Sequence, residues 1–341
     1  MENIKFFLII GSYTLILNFF LGKFSWLKDK KYSSSHKAFT NQLKTPPFSG
    51  GILFIITVLI YFLQNNFELS ILFFLVFLIG FLSDTNILKS ANLRFILQIF
   101  FLIIFISFLD ISIKSIRVEF IDNLFQNIFF KIFFSTFCIL VLINGTNFID
   151  GLNTLVIGYY FLVLIFINVV LNESLNIFSN DHNFIILFSI LFFLFFLNFF
   201  ELLYLGDNGA YLIALFFGIY LIDIYNSSTL ISPYYIVNLL WYPAYENLFS
   251  ISRKIYLRYS AFKPDNKHLH QLIYSFIKKK IKHNSNFVNT FSGIIINLFN
   301  LIIFSIASQN YSNSKFQIIL LIISLTIYNS TYLILKRSLA K

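Results

Sequence analysis

The chain has 341 residues, of which 58% are hydrophobic, 20% aromatic and 12% charged, with 48 Phe and a formal net charge of +10. So few charged side chains cannot screen that much apolar surface from water, which excludes a soluble globular domain, a disordered tail and a coiled coil, and leaves a bilayer as the solvent. A single cysteine, Cys138, excludes an intramolecular disulfide and a thiolate metal cluster.

A helix needs about 20 predominantly apolar residues to cross the hydrocarbon of a bilayer. Eleven windows approach or meet that length in chain order: 3–22, 49–64, 67–83, 93–109, 128–143, 154–171, 183–200, 209–225, 232–249, 287–306 and 316–335. They predict an all-α integral membrane protein with about eleven transmembrane helices, forming a single polytopic domain over 1–341. The second and third windows hold short apolar cores, ILFIITVLIYFL and ILFFLVFLIGFL, separated by QNNFELS. One continuous helix would place Asn65, Asn66 and Glu68 at mid-membrane at high cost, so a tight hairpin is expected there. After the first window LGKFSW is bulky and basic and offers no small-residue cleavage site, so that window reads as a span and not a signal peptide.

Twenty of the 25 Lys and Arg fall on one set of alternate connections: 23–48, 89–94, 250–286 and the last residues of the chain. Basic loops resist translocation, so this face is expected to be cytoplasmic, with the N-terminus outside and the C-terminus inside. The longest cytoplasmic segment is 250–286. Most of these cations serve topology and contact with anionic membrane lipid. No nucleic-acid-binding module accompanies them, and nucleic acid is not an expected partner.

Several of the 15 acidic residues are not scattered. Asp84 follows the third window, Asp150 the fifth and Asp207 the seventh, while Glu246 lies near the end of the ninth. By parity all four reach the cytoplasmic end. A transporter would place ionisable groups at the midplane on broken helices, so this pattern points to chemistry at a membrane surface.

The sequences around these acids are specific in kind. NGTNFIDGLN spaces Asn144, Asn147, Asp150 and Asn153 by three, which in a helix sets polar side chains on one face able to hold a ligand's hydrogen-bonding edge. The competing reading is a capped loop. In YLGDNGA, Gly206 and Gly209 bracket Asp207 before the eighth window. Glycines permit close backbone approach, and a helix N-terminus offers N–H groups to an anion such as a diphosphate. Asp207 suits Mg²⁺, which takes one or two carboxylates together with substrate phosphate oxygens; the alternative is an ordinary turn. The longest basic segment carries Arg253, Lys267, His268 and His270. Histidines at i, i+2 do not share a helical face as a metal-binding i, i+4 pair would, so phosphate binding is the more economical reading.

Five segments in this order, TPPFSGGI (45–52), GFLSDTN (80–86), NGTNFIDGLN (144–153), YLGDNGA (204–210) and PAYENLFSISRK through KPDNKHLHQ (243–271), resemble the polyprenyl-phosphate N-acetylhexosamine-1-phosphate transferases. His-Leu-His-Gln is closer to the branch that starts O-antigen and teichoic acid synthesis than to the peptidoglycan translocases with their triple histidine. The resemblance implies a bacterial inner-membrane enzyme that moves sugar 1-phosphate from a UDP-sugar to a polyprenyl phosphate and releases UMP. It further implies dependence on Mg²⁺, with Mn²⁺ able to substitute, and a homodimer is a compatible assembly. Asp207 and Asp84 would be the metal-binding acids, with Asp84 also acting at the acceptor phosphate. Asp150, His268 and His270 join Asp84 as catalytic candidates. The expected substrate contacts are Lys44, Asn144, Asn147, Asn153, Gly206, Gly209, Arg253 and Lys267.

Three positions depart from the family pattern. Ser83 stands for the first acid of an Asp pair, Asn153 for an Asp and Gln271 for a third histidine. A serine hydroxyl is no base near neutrality, but a phosphate acceptor is already largely ionised there, leaving Asp84 an electrostatic role. Two rival readings are a relative that binds nucleotide or lipid without turnover, and a membrane transporter.

Overall fold

A computed structural model describes residues 2–28, 46–62, 66–175, 182–258, 266–281 and 284–340. Lys44 lies outside the described residues. A helix occupies each of the eleven windows: α1 (Glu2–Leu21), α2 (Gly50–Phe62), α3 (Phe67–Asp84), α4 (Ala91–Leu109), α6 (Ile128–Ile149), α7 (Leu155–Leu175), α8 (His182–Phe199), α9 (Gly206–Ser227), α10 (Pro233–Tyr256), α12 (Ser285–Gln309) and α13 (Ser314–Ala340). Two short helices, α5 (Glu119–Leu124) and α11 (Leu269–Lys280), complete the set. The protein is an all-α integral membrane protein.

Eight of these helices are by themselves long and apolar enough to cross a membrane, and α2 and α8 contribute shorter apolar stretches. α10 falls short because it carries Asn238, Glu246 and Asn247, all buried inside the bundle. Protein groups take up the amide donors: Asn238 donates to Gln317 of α13, and Asn247 donates to the Val141 carbonyl of α6 at 3.0 Å. A helix whose polar groups are bonded within the bundle does not need lipid-grade hydropathy.

α9 is the central helix. Nearly every residue from Ala210 to Ile222 is buried, as expected of a helix apolar on all sides, and α2, α3 and α6 pack around it. α1, α4 and α13 expose Ile, Leu and Phe along their outer faces, the composition of a lipid-facing surface.

Hydrogen bonds between connections define two ends of the bundle. At one end, Tyr204 N donates to Pro47 O, Asn18 donates to Leu202 O, and Asn153 N donates to Asn289 Oδ1. These tie together the C-terminal ends of α1, α6 and α8 and the N-terminal ends of α2, α9 and α12. At the other end Arg117 donates to the carbonyls of Thr229 and Ile231, both at 2.7 Å, and Ser232 N donates to Tyr311 O. Asp84, Asp150 and Asp207 all belong to the first end.

The start of α9 is fixed by backbone contact with two neighbours. A Cβ added at Gly80 of α3 would stand 2.5 Å from Asn208 Cα, and one at Gly51 of α2 would be 2.5 Å from Gly209 N. No side chain fits between these backbones. Gly80→Ala is therefore expected to push α3 off α9 and to destabilise the protein by about 1–3 kcal/mol, the usual cost of overpacking. Thermal unfolding in detergent reads this out, and an unchanged midpoint would show that the helices part freely.

Candidate active site at one end of the bundle

The chain enters α9 through Gly206, whose φ of +75° lies in the left-handed region that favours glycine. A Cβ there would also stand 2.7 Å from Asp84 Oδ2. Asp84, the last residue of α3, reaches over the start of α9. Its Oδ1 accepts from Asp207 N at 3.0 Å, and its Oδ2 accepts from Asn208 N at 2.9 Å and Asn208 Nδ2 at 2.7 Å. A carboxylate at a helix N-terminus satisfies free N–H groups and meets the positive end of the macrodipole. Two of the N–H groups that the sequence offers to an anion are thus engaged by a side chain of the protein itself.

Asp207 points to the α3–α4 junction. Its Oδ2 accepts from Ser83 Oγ at 2.6 Å and Arg94 Nη1 at 2.7 Å, and Arg94 also donates to Ser83. Ser90 caps α4 by accepting from Leu93 N at 3.3 Å, which sets Arg94 one turn inside the helix. The Arg94 and Asp207 side chains are only 19% and 13% exposed, so this ion pair is poorly screened by water. Ser83 therefore stands between a cation and a carboxylate. In the sequence Arg94 reads as one of the topology-setting cations; the signal that singles it out is that it is the one ionisable residue in the apolar window 93–109.

A second cluster lies where α6, α10, α11 and α13 meet. Glu246, 1% exposed, accepts from His268 Nδ1 at 2.9 Å and from Tyr328 OH at 2.6 Å. The His268 ring packs on Phe148 and stacks on His270, with centroids 5.3 and 5.6 Å apart, and Lys254 Nζ lies 5.6 Å from the Phe148 centroid. Asp150 follows the last residue of α6, and a Cβ at the adjacent Gly151 would be 2.8 Å from His270 Nε2. His270 is fully buried, and neither ring nitrogen has a hydrogen-bond partner among the described residues. Burial, with a smaller contribution from His268, pushes its pKa down to about 3, so the ring is neutral at physiological pH. Gln271 holds the first turn of α11 by accepting from His268 N at 3.1 Å. Tyr328 had no signal in the sequence, since it lies 82 residues beyond Glu246.

The other expected contacts are placed as follows. Asn144 donates to Leu140 O at 2.9 Å and to Gln98 of α4 at 3.4 Å, and Asn147 is half-buried one turn later on α6. Because α6 ends at Ile149, the spacing by three stops sharing a helical face there. Asn153 is buried in the α6–α7 turn, held by Asn289 and directed toward Glu201 and Thr290. Gly209 packs against Gly51. Arg253 donates to the Lys267 carbonyl, to Tyr332 OH at 2.9 Å and to Ser250 Oγ at 3.1 Å, fastening the exposed Lys267 segment to α10 and α13. The described residues of 250–286 thus lie mostly in helices: the end of α10, the whole of α11 and the start of α12.

No group of three or more His, Cys, Asp or Glu able to hold a metal ion occurs among the described residues. The Asp84–Asp207 pair supplies at most two carboxylates, and Arg94 already neutralises one of them. That donor set fits a Mg²⁺ ion whose remaining ligands are phosphate oxygens and water, the coordination this ion prefers.

The pattern of glycosyl transferase family 4 matches residues 66–225, a stretch holding Asp84, Arg94, Asp150 and Asp207 but not Glu246, His268 or His270. Over 205 residues the chain is 26% identical to a Bacillus subtilis (strain 168) protein named probable undecaprenyl-phosphate N-acetylglucosaminyl 1-phosphate transferase, covering 60% of this chain and 56% of that relative. The chain thus spans little more than half the length of the curated relative it matches. Residues 66–225 are thus similar to glycosyl transferase family 4, and the relative's name points to the same class of chemistry.

Proposed function

We propose that the protein transfers a sugar 1-phosphate of the N-acetylhexosamine class from a UDP-sugar to a membrane polyprenyl phosphate at the cytoplasmic face of the bacterial inner membrane, an opening step of cell-surface polysaccharide synthesis. An oxygen of the acceptor phosphate attacks the phosphorus that carries the sugar, and the bond to the UMP oxygen breaks with its electron pair leaving on UMP. The observation that carries this reading is the meeting of Asp84, Asp207 and Arg94 around the start of α9, at the same end of the bundle as Asp150 and the α6–α7 turn.

Phosphoryl transfer asks a protein chiefly for positioning and charge neutralisation. Asp84 fixes the start of α9 and through it the backbone of Asp207. Asp207, with Asp84, would hold Mg²⁺, which when bound supplies positive charge between two phosphate groups that otherwise repel. Arg94 offers a planar fork suited to phosphate oxygens. Neutral His270 and the Glu246-oriented His268 stand at the α6 terminus beside Asp150, where Lys254 and Lys267 add positive charge. No side chain need act as base on the acceptor, because a phosphate with a second pKa of about 6 is mostly dianionic at neutral pH.

Purified protein incubated with polyprenyl phosphate, a UDP-N-acetylhexosamine and Mg²⁺ is expected to release UMP in step with formation of a lipid diphosphate sugar. UMP release without lipid product, or none with any donor of this class, would sink the proposal.

A further inference from the structure

We propose that Arg94 and a divalent cation compete for the Asp207 carboxylate, so that metal and nucleotide diphosphate bind as a linked pair. The inference rests on the site described above and adds a rule for the order in which that site is filled. In the protein alone, Asp207 Oδ2 is shared by the Arg94 guanidinium at 2.7 Å and the Ser83 hydroxyl at 2.6 Å. A divalent ion on this carboxylate would face a fixed positive charge at close range in a site with little water, which opposes binding. The metal therefore binds tightly only when Arg94 turns to another anion.

The structure provides a reason for it to turn. Arg94 Nε is buried and has no hydrogen-bond partner among the described residues, so its pairing with Asp207 leaves one donor unsatisfied. A diphosphate presents several oxygens and accepts from two edges of a guanidinium at once. The nearest alternative cradle, the α9 N-terminus, already gives the N–H groups of Asp207 and Asn208 to Asp84. Among the described residues around the start of α9, Arg94 thus has an unfilled donor position to offer the diphosphate. Its transfer would free the Asp207 oxygen that the metal needs, with the Ser83 hydroxyl able to stay on Asp207 or follow Arg94. By linkage, each ligand raises affinity for the other by the same factor.

Mn²⁺ is the probe, followed by electron paramagnetic resonance on the purified full chain in detergent, with UDP as diphosphate and the free Mn²⁺–UDP complex measured separately and subtracted. The wild type is expected to bind Mn²⁺ weakly alone and about tenfold or more tighter with saturating UDP, within the usual range of coupling between sites. Arg94→Gln is expected to bind Mn²⁺ about tenfold tighter than wild type without UDP and to lose most of the UDP effect. Adding Asp207→Asn to Arg94→Gln is expected to abolish that gain. Wild-type Mn²⁺ affinity indifferent to UDP would overturn the proposal even if the variant fails to fold. So would Arg94→Gln with unchanged affinity, or a gain that survives Asp207→Asn. The readout is binding, so linked binding without UMP release would refute the proposed reaction and leave this inference standing.

Discussion

Asp207→Asn is expected to lower UMP release by at least about 10²–10³-fold, the usual loss when one preorganised electrostatic group is removed from a reacting centre. Asparagine keeps the size of the side chain but not its charge. Arg94 then faces a neutral amide in a site where only 19% of its side chain reaches solvent, and the site loses the carboxylate proposed above to hold Mg²⁺. The start of α9 should survive, because Asp84 holds it through the backbone N–H groups of residues 207 and 208 and not through the Asp207 side chain. Inactivity with a near-wild-type unfolding midpoint is the expected combination. A fully active variant would remove Asp207 from the reaction.

Glu246→Ala is the second large effect, on stability as much as on rate. The wild-type carboxylate is buried and accepts from both His268 and Tyr328, joining α10 to the start of α11 and to α13. Alanine leaves an imidazole and a phenol buried without their acceptor. Losing a hydrogen bond to a charged group costs about 1.5–3 kcal/mol, and here two are lost together. The unfolding midpoint should fall, and His268 should lose its fixed orientation against Phe148 and His270. Glu246→Gln is expected to recover part of the stability, because its carbonyl oxygen accepts from one of the two donors. Rate and midpoint measured on both variants check this; an alanine variant unchanged in both would show that the pair does not organise the histidines.

The helices were legible because a lipid-facing helix must be apolar over its whole length, and a helix occupies each apolar window, eight of these helices being long and apolar enough to cross a membrane. Their ends were less legible. α6 runs to Ile149 and α10 to Tyr256, past their apolar windows, because the polar residues that end an apolar run can continue a helix when the protein interior satisfies them. At the candidate site the acids announced themselves as rare charges at span ends, yet what they touch could not be read. Asp84 meets the start of α9 across 123 residues of chain, and Tyr328 meets Glu246 across 82. Such partners follow from how helices pack, and no local spacing encodes them. Arg94 was hidden differently: a cation near a span end has a sufficient explanation in topology, which masks any second role.

The glycine contacts around Asn208 carry a mechanical consequence. At Gly80 the backbone of α3 lies directly on the backbone of Asp207 and Asn208, with no side chain between them to absorb a displacement. α3 and the start of α9 are therefore expected to shift as one body, which keeps Asp84 in register with the backbone of Asp207 and Asn208 when either helix moves.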